Sequence, residues 1–455
     1  MKTKISQNYL RNTASVVWAV MLIGSSASAS AATTYYVSTS GSDSNSGTQS
    51  QPWRSITKAA TTMRAGDTAI VSAGTYNEAV TTNSSGASGS KITFRASGSV
   101  TVTGGFAIKH AYNTVDGFSI NKDLAISAGN CEVLNNHFIN ARIYMPSGNP
   151  ANCLLKGNHI ESTNSWGGDW VAFDLGGSNH IVENNEIGPS KDTDVFRPFG
   201  TGHIIRNNYI HDITLSPGSG AHMDIFQVFA DNGEISNNIV FENNRIINSE
   251  GQMCMTSSDG LTGIHDFDVR NNLWVNVAMQ CNVGIPYFRF YGNTLYNVGA
   301  TNGFAFNVWI GPAGNPNHAR IMNNIFIAAG GLNATSAGGA YGFPAGSTDM
   351  VGDYNFIARG PGSGYAKVSG FTEAHGINGG DPKFVGLSTN DFRLQAGSPT
   401  IDKGTTISGL TYDLDGLARP QGAANDIGAF EYNSSGSSIA TNTVTLVAPQ
   451  NLRVQ

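Results

Sequence analysis

The sequence predicts an all-β chain wound as a solenoid, a parallel β-helix, and two observations predict it. The first is one pattern written three times: DLGGSNHIVENN (Asp174 to Asn185), RPFGTGHIIRNN (Arg197 to Asn208) and QVFADNGEISNN (Gln227 to Asn238). The three align without a gap, and each ends in a short apolar run followed by Asn-Asn. Block starts lie 23 and then 30 residues apart, the period of a repeat in which each unit stacks on the last. The second observation is a longer recurrence of an Asn-turn-strand unit: VLNNHFI, LLKGNHI, IVENNEI, IIRNNYI, VFENNRI, VRNNLWV, FYGNTLY, IMNNIFI and DYNFI. Its second asparagines are residues 136, 158, 185, 208, 244, 272, 293, 324 and 355. Asparagine at a sharp turn tolerates left-handed backbone and bonds nearby peptide groups. These asparagines therefore read as structural, stacked up the solenoid, with the apolar residues beside them lining the core.

Taken in order, the chain opens with Lys2, Lys4 and Arg11, then an apolar stretch ASVVWAVMLIG, then small residues through Ala32. That is the layout of a secretory signal peptide, assigned to residues 1–32. The apolar part is too short to span a bilayer comfortably. Export, to the periplasm or outside the cell, is expected. The mature chain is expected to form one β-helix domain over residues 33–432, followed by a linker-like tail over 433–455. A charged fraction of 13%, 55 glycines and a net charge of −6 fit a turn-rich exported protein. No basic run is present, which makes nucleic acid a poor partner. Of the four cysteines, Cys131 and Cys153 each lie five residues before the second Asn of a coil, and they are the better candidates for a disulfide. Cys254 and Cys281 have different offsets in neighbouring coils. No CxxC spacing points to zinc.

Residues 33–54 read as a strand and a polar loop, and residues 55–65 (SITKAATTMRA) as a short capping helix with Ser55 as its N-cap. A strand follows in GDTAIVSAGTYNE, and further strands in KITFRASG and NTVDGFSI. The string from Tyr35 to Glu78, YYVSTSGSDSNSGTQSQPWRSITKAATTMRAGDTAIVSAGTYNE, resembles the start of secreted right-handed parallel β-helix enzymes acting on polysaccharides. The nearest in kind are the calcium-dependent pectate lyases and the alginate and chondroitin-B lyase family. The resemblance implies a right-handed β-helix, a polysaccharide substrate and calcium held by acidic side chains of stacked coils. The end, DPKFVG through DLDGLARPQGAANDIGAFEY, resembles the closing segment of exported β-helix proteins and reads as a C-terminal cap. Asp413 and Asp415 in DLDG read as a plain turn rather than a calcium loop.

The three aligned coils also collect chemistry. One column holds Val171, Asp194 and Asp224; another holds Asp169, Asp192 and His222; a third holds Asp174, Arg197 and Gln227. Equivalent residues of stacked strands lie about 4.8 Å apart. Carboxylates that close shift one another's pKa unless a cation or proton lies between them, and a fold has no need of this. The intervening columns of Ala172, Val195 and Ile225, and of Phe173, Phe196 and Phe226, break strict alternation and imply a bend. Asp194, Arg197, His222, Asp224 and Lys191 are the candidate catalytic residues. Gln227, Asp174, Gln252, Tyr287, Arg289 and Trp166 are candidate substrate contacts. Asp169, Asp192, Asp194 and Asp224 are candidate calcium ligands, calcium being a hard cation that takes oxygen donors. His180 and His203 read as structural, and Trp170 as core.

The chemistry expected is β-elimination on an acidic, uronate-containing polysaccharide. It needs the uronate carboxylate neutralised, a base for the α-proton and an acid for the leaving oxygen. A glycoside hydrolase using paired Asp side chains is the alternative. A uronan epimerase and a non-catalytic carbohydrate-binding β-helix are further readings. A monomer is expected.

Overall fold

A computed structural model describes residues 31–434, apart from 147–148, 165–169, 220–222, 230–232, 258–261, 300–305, 309–316, 328–338, 344–347, 359–366 and 370–371. Residues 1–30 of the expected signal peptide and residues 435–455 of the tail lie outside the described residues, as do Asp169, Trp166 and His222. The fold is the expected right-handed parallel β-helix. One 33-stranded sheet runs through the described residues, each strand pairing with its counterpart about a coil away. A coil has a strand before the Asn pair, a strand after it, and a third beyond. In one coil these are Ile181–Glu183, Glu186–Lys191 and Asp194–Pro198.

The Asn pairs divide their work. The first position takes the left-handed turn, with φ of 54° at Asn135, 55° at Asn184, 56° at Asn207 and 61° at Gly292. The second is buried and forms a ladder. Asn208 Nδ2 donates to Val182 O at 3.0 Å and to Asn244 Oδ1 at 2.9 Å, while its Oδ1 accepts from Asn185 N and Nδ2. The same bonds recur from Asn136 to Asn355. The amide of each ladder asparagine thus finds partners in the coils above and below, which lets a polar side chain sit in the interior.

A second stacked pair serves the next corner. His180 and His203 are buried, with ring centroids 4.9 Å apart. Each gives its Nε2 proton to a carbonyl oxygen of its own coil, Gly176 and Phe199, at 2.7 Å. Their Nδ1 atoms accept the amides of Cys153 and His180. Both are therefore held neutral. Burial, then the neighbouring His180, lowers His203 to about 4. The folded state binds fewer protons than the unfolded one, so stability is expected to fall as pH drops from the unfolded value near 6.5 toward 4, by about 3 kcal/mol from this residue. Denaturation midpoints between pH 7 and 4 measure it, and a His203→Asn variant should show a shallower decline.

At the start, the helix Ile56–Thr62 packs Ile56, Ala59 and Ala60 into the core. Ser55 Oγ accepts Lys58 N, and the Glu78 carboxylate accepts the amides of Ile56 and Thr57. These acceptors satisfy the free donors of the first turn.

At the other end the closing segment lies on the side of the coils. The segment carrying Phe384, Phe392, Leu394, Ile427, Ala429 and Phe430 packs along the flank of the coils, against Leu273, Val275, Ile325, Ile327, Phe356 and Ala358. Arg245 pairs with Asp415 at 2.6 Å, and Arg419 Nη2 reaches Asn271 Oδ1 at 3.2 Å. This explains why the strands IFI and FIA are apolar on both faces. Asp413 forms a turn, its Oδ1 accepting the amides of Asp415 and Leu417.

The cysteines reverse the expectation. Cys254 and Cys281 stand in register on adjacent coils and form a disulfide. Cys131 and Cys153 are buried free thiols directed at backbone carbonyls, Cys131 at His110 and Gly129 and Cys153 at Ala128.

Candidate active site

The bend implied by the sequence lies in the third strand of each coil. Ala172, Val195, Ile225 and Met253 belong to the core, and so do the neighbouring Phe173, Phe196, Phe226 and Cys254. Two consecutive inward side chains in an extended strand require a bend, since alternation would send one outward. The bend turns the flanking columns out together. One is Val171, Asp194, Asp224 and Gln252; the other is Asp174, Arg197, Gln227 and Met255. Residues three apart therefore meet on the outside of the elbow. Arg197 Nη2 donates to Asp194 Oδ2 at 2.8 Å, and one coil pair further on Asn282 Nδ2 donates to Gln252 Oε1 at 2.7 Å.

Asp194 is strongly perturbed. Its Oδ1 accepts the amide of Asp224 at 2.9 Å, and its own amide donates to Trp170 O. Its side chain is 0% exposed and that of Arg197 15%. Burial, followed by the charge of Asp224, pushes the Asp194 carboxyl up to about 7, with Arg197 opposing. Asp174, in register with Arg197, is raised by burial, with Arg142 and Arg197 opposing. The next outward residue in that column is Tyr144, and the Arg142 guanidinium lies 4.7 Å over its ring. Gln227 is buried in the same column.

Other candidates fall elsewhere. Lys191 ends the preceding strand, in register with Thr214. Asp192 has φ of 50°, and its Oδ1 accepts Ser216 N at 2.7 Å and Ser219 Oγ at 3.2 Å, so it anchors the loop leading to residue 222. Tyr287 is 43% exposed at a corner and stacks on His318. Arg289 pairs with Asp266 at 2.9 Å. Arg289 lies in a strand that precedes an Asn position and Tyr287 in the turn just before it, and the structure does not bring them to the elbow. Trp170 is buried in the core.

Calcium takes six to eight oxygens. Both oxygens of Asp194 accept bonds from protein donors, one of them a guanidinium, and Oδ1 of Asp192 holds a loop. Among the described residues these carboxylates do not form an oxygen cage, and the cation beside Asp194 is Arg197.

Sequence reasoning missed the residues beside the elbow. A cleft of about 270 Å³ is lined by Asp212, Asn248, Glu250, Asn276 and Asn297, among others. It lies just upstream of the Gln252 column. The signal was present: Asp212, Asn248, Asn276 and Asn297 each fall four residues after a ladder asparagine, and all have φ between 51° and 61°. Their side chains form a second, outer ladder, Asn297 to Asn276 to Asn248 to Asp212.

Among the described residues no helix is long and apolar enough to cross a membrane. A family described as a protein of unknown function (DUF1565) matches residues 39–84. An uncharacterized protein, YwoF of Bacillus subtilis (strain 168), is 31% identical over 139 residues, which are 28% of this chain and 28% of that protein. The chain thus aligns with little more than a quarter of that relative. Three solved structures share the fold over most of this chain. Pectate lyase Pel9A has a TM-score of 0.52 at 17% identity, covering 89% of this chain and 97% of its own. XylC in complex with xylose has 0.58 at 13%, covering 87% and 98%. The PL6 family alginate lyase AlyGC has 0.53 at 16%, covering 83% of this chain and 55% of its own. The likeness seen in the opening residues therefore extends to the fold, and this chain is built on the same parallel β-helix as these carbohydrate-active proteins.

Proposed function

We propose that this protein is an exported polysaccharide lyase that cleaves a uronate-containing polymer at the Asp194 elbow. The observation that supports this most is a buried carboxyl titrating near 7 and bonded to a partly exposed guanidinium. Arg197, with Arg142 further along the same face, offers cationic partners to a uronate carboxylate. When that carboxylate takes Arg197, Asp194 Oδ2 is released and loses its stabilising cation, which makes it a stronger base. It then accepts the proton α to the substrate carboxylate, the bond to the glycosidic oxygen breaks, and the proton passes to the departing oxygen. A base titrating near the working pH is the efficient choice. Gln227 and Asp174 line the same column and are assigned to holding the sugar. That a pectate lyase and an alginate lyase share this fold agrees with the reading.

A glycoside hydrolase is the second reading, favoured by the stacking of Asp194 on Asp224. One protonated carboxyl beside an ionised one is the acid–base pair that hydrolysis requires.

A panel of pectate, alginate, glucuronan, glycosaminoglycans and neutral glucans separates the two when ultraviolet absorbance and reducing ends are followed together. New ends carrying the unsaturated-uronate absorbance are expected. New ends without it would establish hydrolysis. A calcium-selective chelator is expected to leave the rate unchanged, because Arg197 already faces Asp194; a large loss would place calcium at the elbow.

A further inference from the structure

On the strands after the Asn pairs, register places His137, His159, Glu186, Tyr209 and Arg245 in one outward column. Beyond Arg245 the column turns to Leu273, Thr294, Ile325 and Phe356, which the C-terminal segment covers. The polar stretch is partly exposed, and its imidazoles have no part in the elbow. We propose that His137, His159 and Glu161 form a binding site for a first-row divalent transition-metal ion, zinc being the type.

Three ligand atoms, one from each side chain, lie within 4.8 Å of one another. His137 Nε2 and Glu161 Oε1 are 3.1 Å apart, close to the spacing of two ligands on one ion bound at about 2.0–2.1 Å from each. The ion replaces the proton that this pair now shares. His159 lies directly over His137, with ring centroids 4.6 Å apart and planes 3° from parallel. It gives its Nε2 proton to Gly188 O at 2.9 Å, which fixes the tautomer and leaves the Nδ1 lone pair open. Parallel rings do not converge on one point, so binding requires a turn of an imidazole about χ2, a broad and soft torsion. Glu186, next in the column and bonded to His211, adds negative charge. Imidazole with carboxylate suits zinc, copper or nickel and not calcium.

The test uses mature protein without a polyhistidine tag, titrated calorimetrically with zinc and with calcium, and with cobalt as an absorbing probe. One zinc per chain and no calcium at this site are expected, with affinity about tenfold or more weaker in each of His159→Ala and Glu161→Gln. Metal-free denaturation midpoints establish that the variants fold. Zinc binding unchanged in the double variant would overturn the site, as would a wild-type chain that takes up no zinc. Neither result bears on the elbow, which shares no residue with this cluster.

Discussion

Replacing Asp194 with Asn is expected to lower turnover by about 10²–10⁴-fold, the usual contribution of a positioned proton-transfer group, while the protein stays folded. Asn keeps an acceptor for the Asp224 amide and cannot take a proton. The pH profile then separates the chemistries. A carboxyl held at about 7 gives a lyase whose kcat/KM rises with pH through neutrality, because the ionised form is the base. As the general acid of a hydrolase it gives a rate that falls over the same range. In either case the limb should vanish in the variant. Stability moves independently. The folded value lies above the unfolded one, so the group's stabilising effect is complete below the unfolded value and lost as pH rises through about 7. The variant should escape that loss, becoming inactive yet more resistant to denaturant at alkaline pH. Retained activity in Asp194→Asn would remove the elbow as the site of chemistry.

The largest stability effect is expected from Asn208→Ala. The substitution deprives Val182 O and Asn185 N of their partners, and Asn185 Nδ2 of one of its two, in a region with no access to water. At about 1–3 kcal/mol for each buried polar group left unsatisfied, the loss should reach about 3–6 kcal/mol, read from denaturant midpoints. The comparison is Asn248→Gly in the outer ladder, since glycine accepts the left-handed backbone there. There water replaces the lost amide, and the loss should stay under about 1 kcal/mol. Equal losses at the two positions would mean that the inner ladder is not what holds the coils in register.

The solenoid was legible because its corners are written in a residue with few substitutes. A short residue, asparagine or glycine, takes the left-handed turn and the buried asparagine after it bonds up the stack, so Asn recurs where the chain turns. The elbow was legible because two apolar columns stood side by side, which an unbent strand does not allow. The disulfide was not, and the reason is local. Cys254 lies ten residues after Asn244 and Cys281 nine after Asn272, and a register shift between Ser249 and Gln252 absorbs the extra residue. Counting from the asparagines cannot see a bulge. Asp192 misled for a related reason. Its column position matched Asp169 and His222, but its left-handed backbone turns the carboxylate to the 216–219 loop. The Asn column four residues past the ladder was visible and went unread.

The flank-lying C-terminal segment gives the molecule two kinds of wiring. The inner ladder joins residues 21 to 36 positions apart between neighbouring asparagines, so coils can add one after another with little chain entropy lost at each step. The latch is different: Arg245 meets Asp415 across 170 residues, and Asn271 meets Tyr412 across 141. It can fasten only after the coils it grips exist. Until then Leu273, Ile325 and Phe356 present an apolar strip to water. The last residues to dock act as a seal on a nearly finished cylinder. The coils upstream of Arg245, including those of Asp194 and Arg197, have to stand on their own ladder.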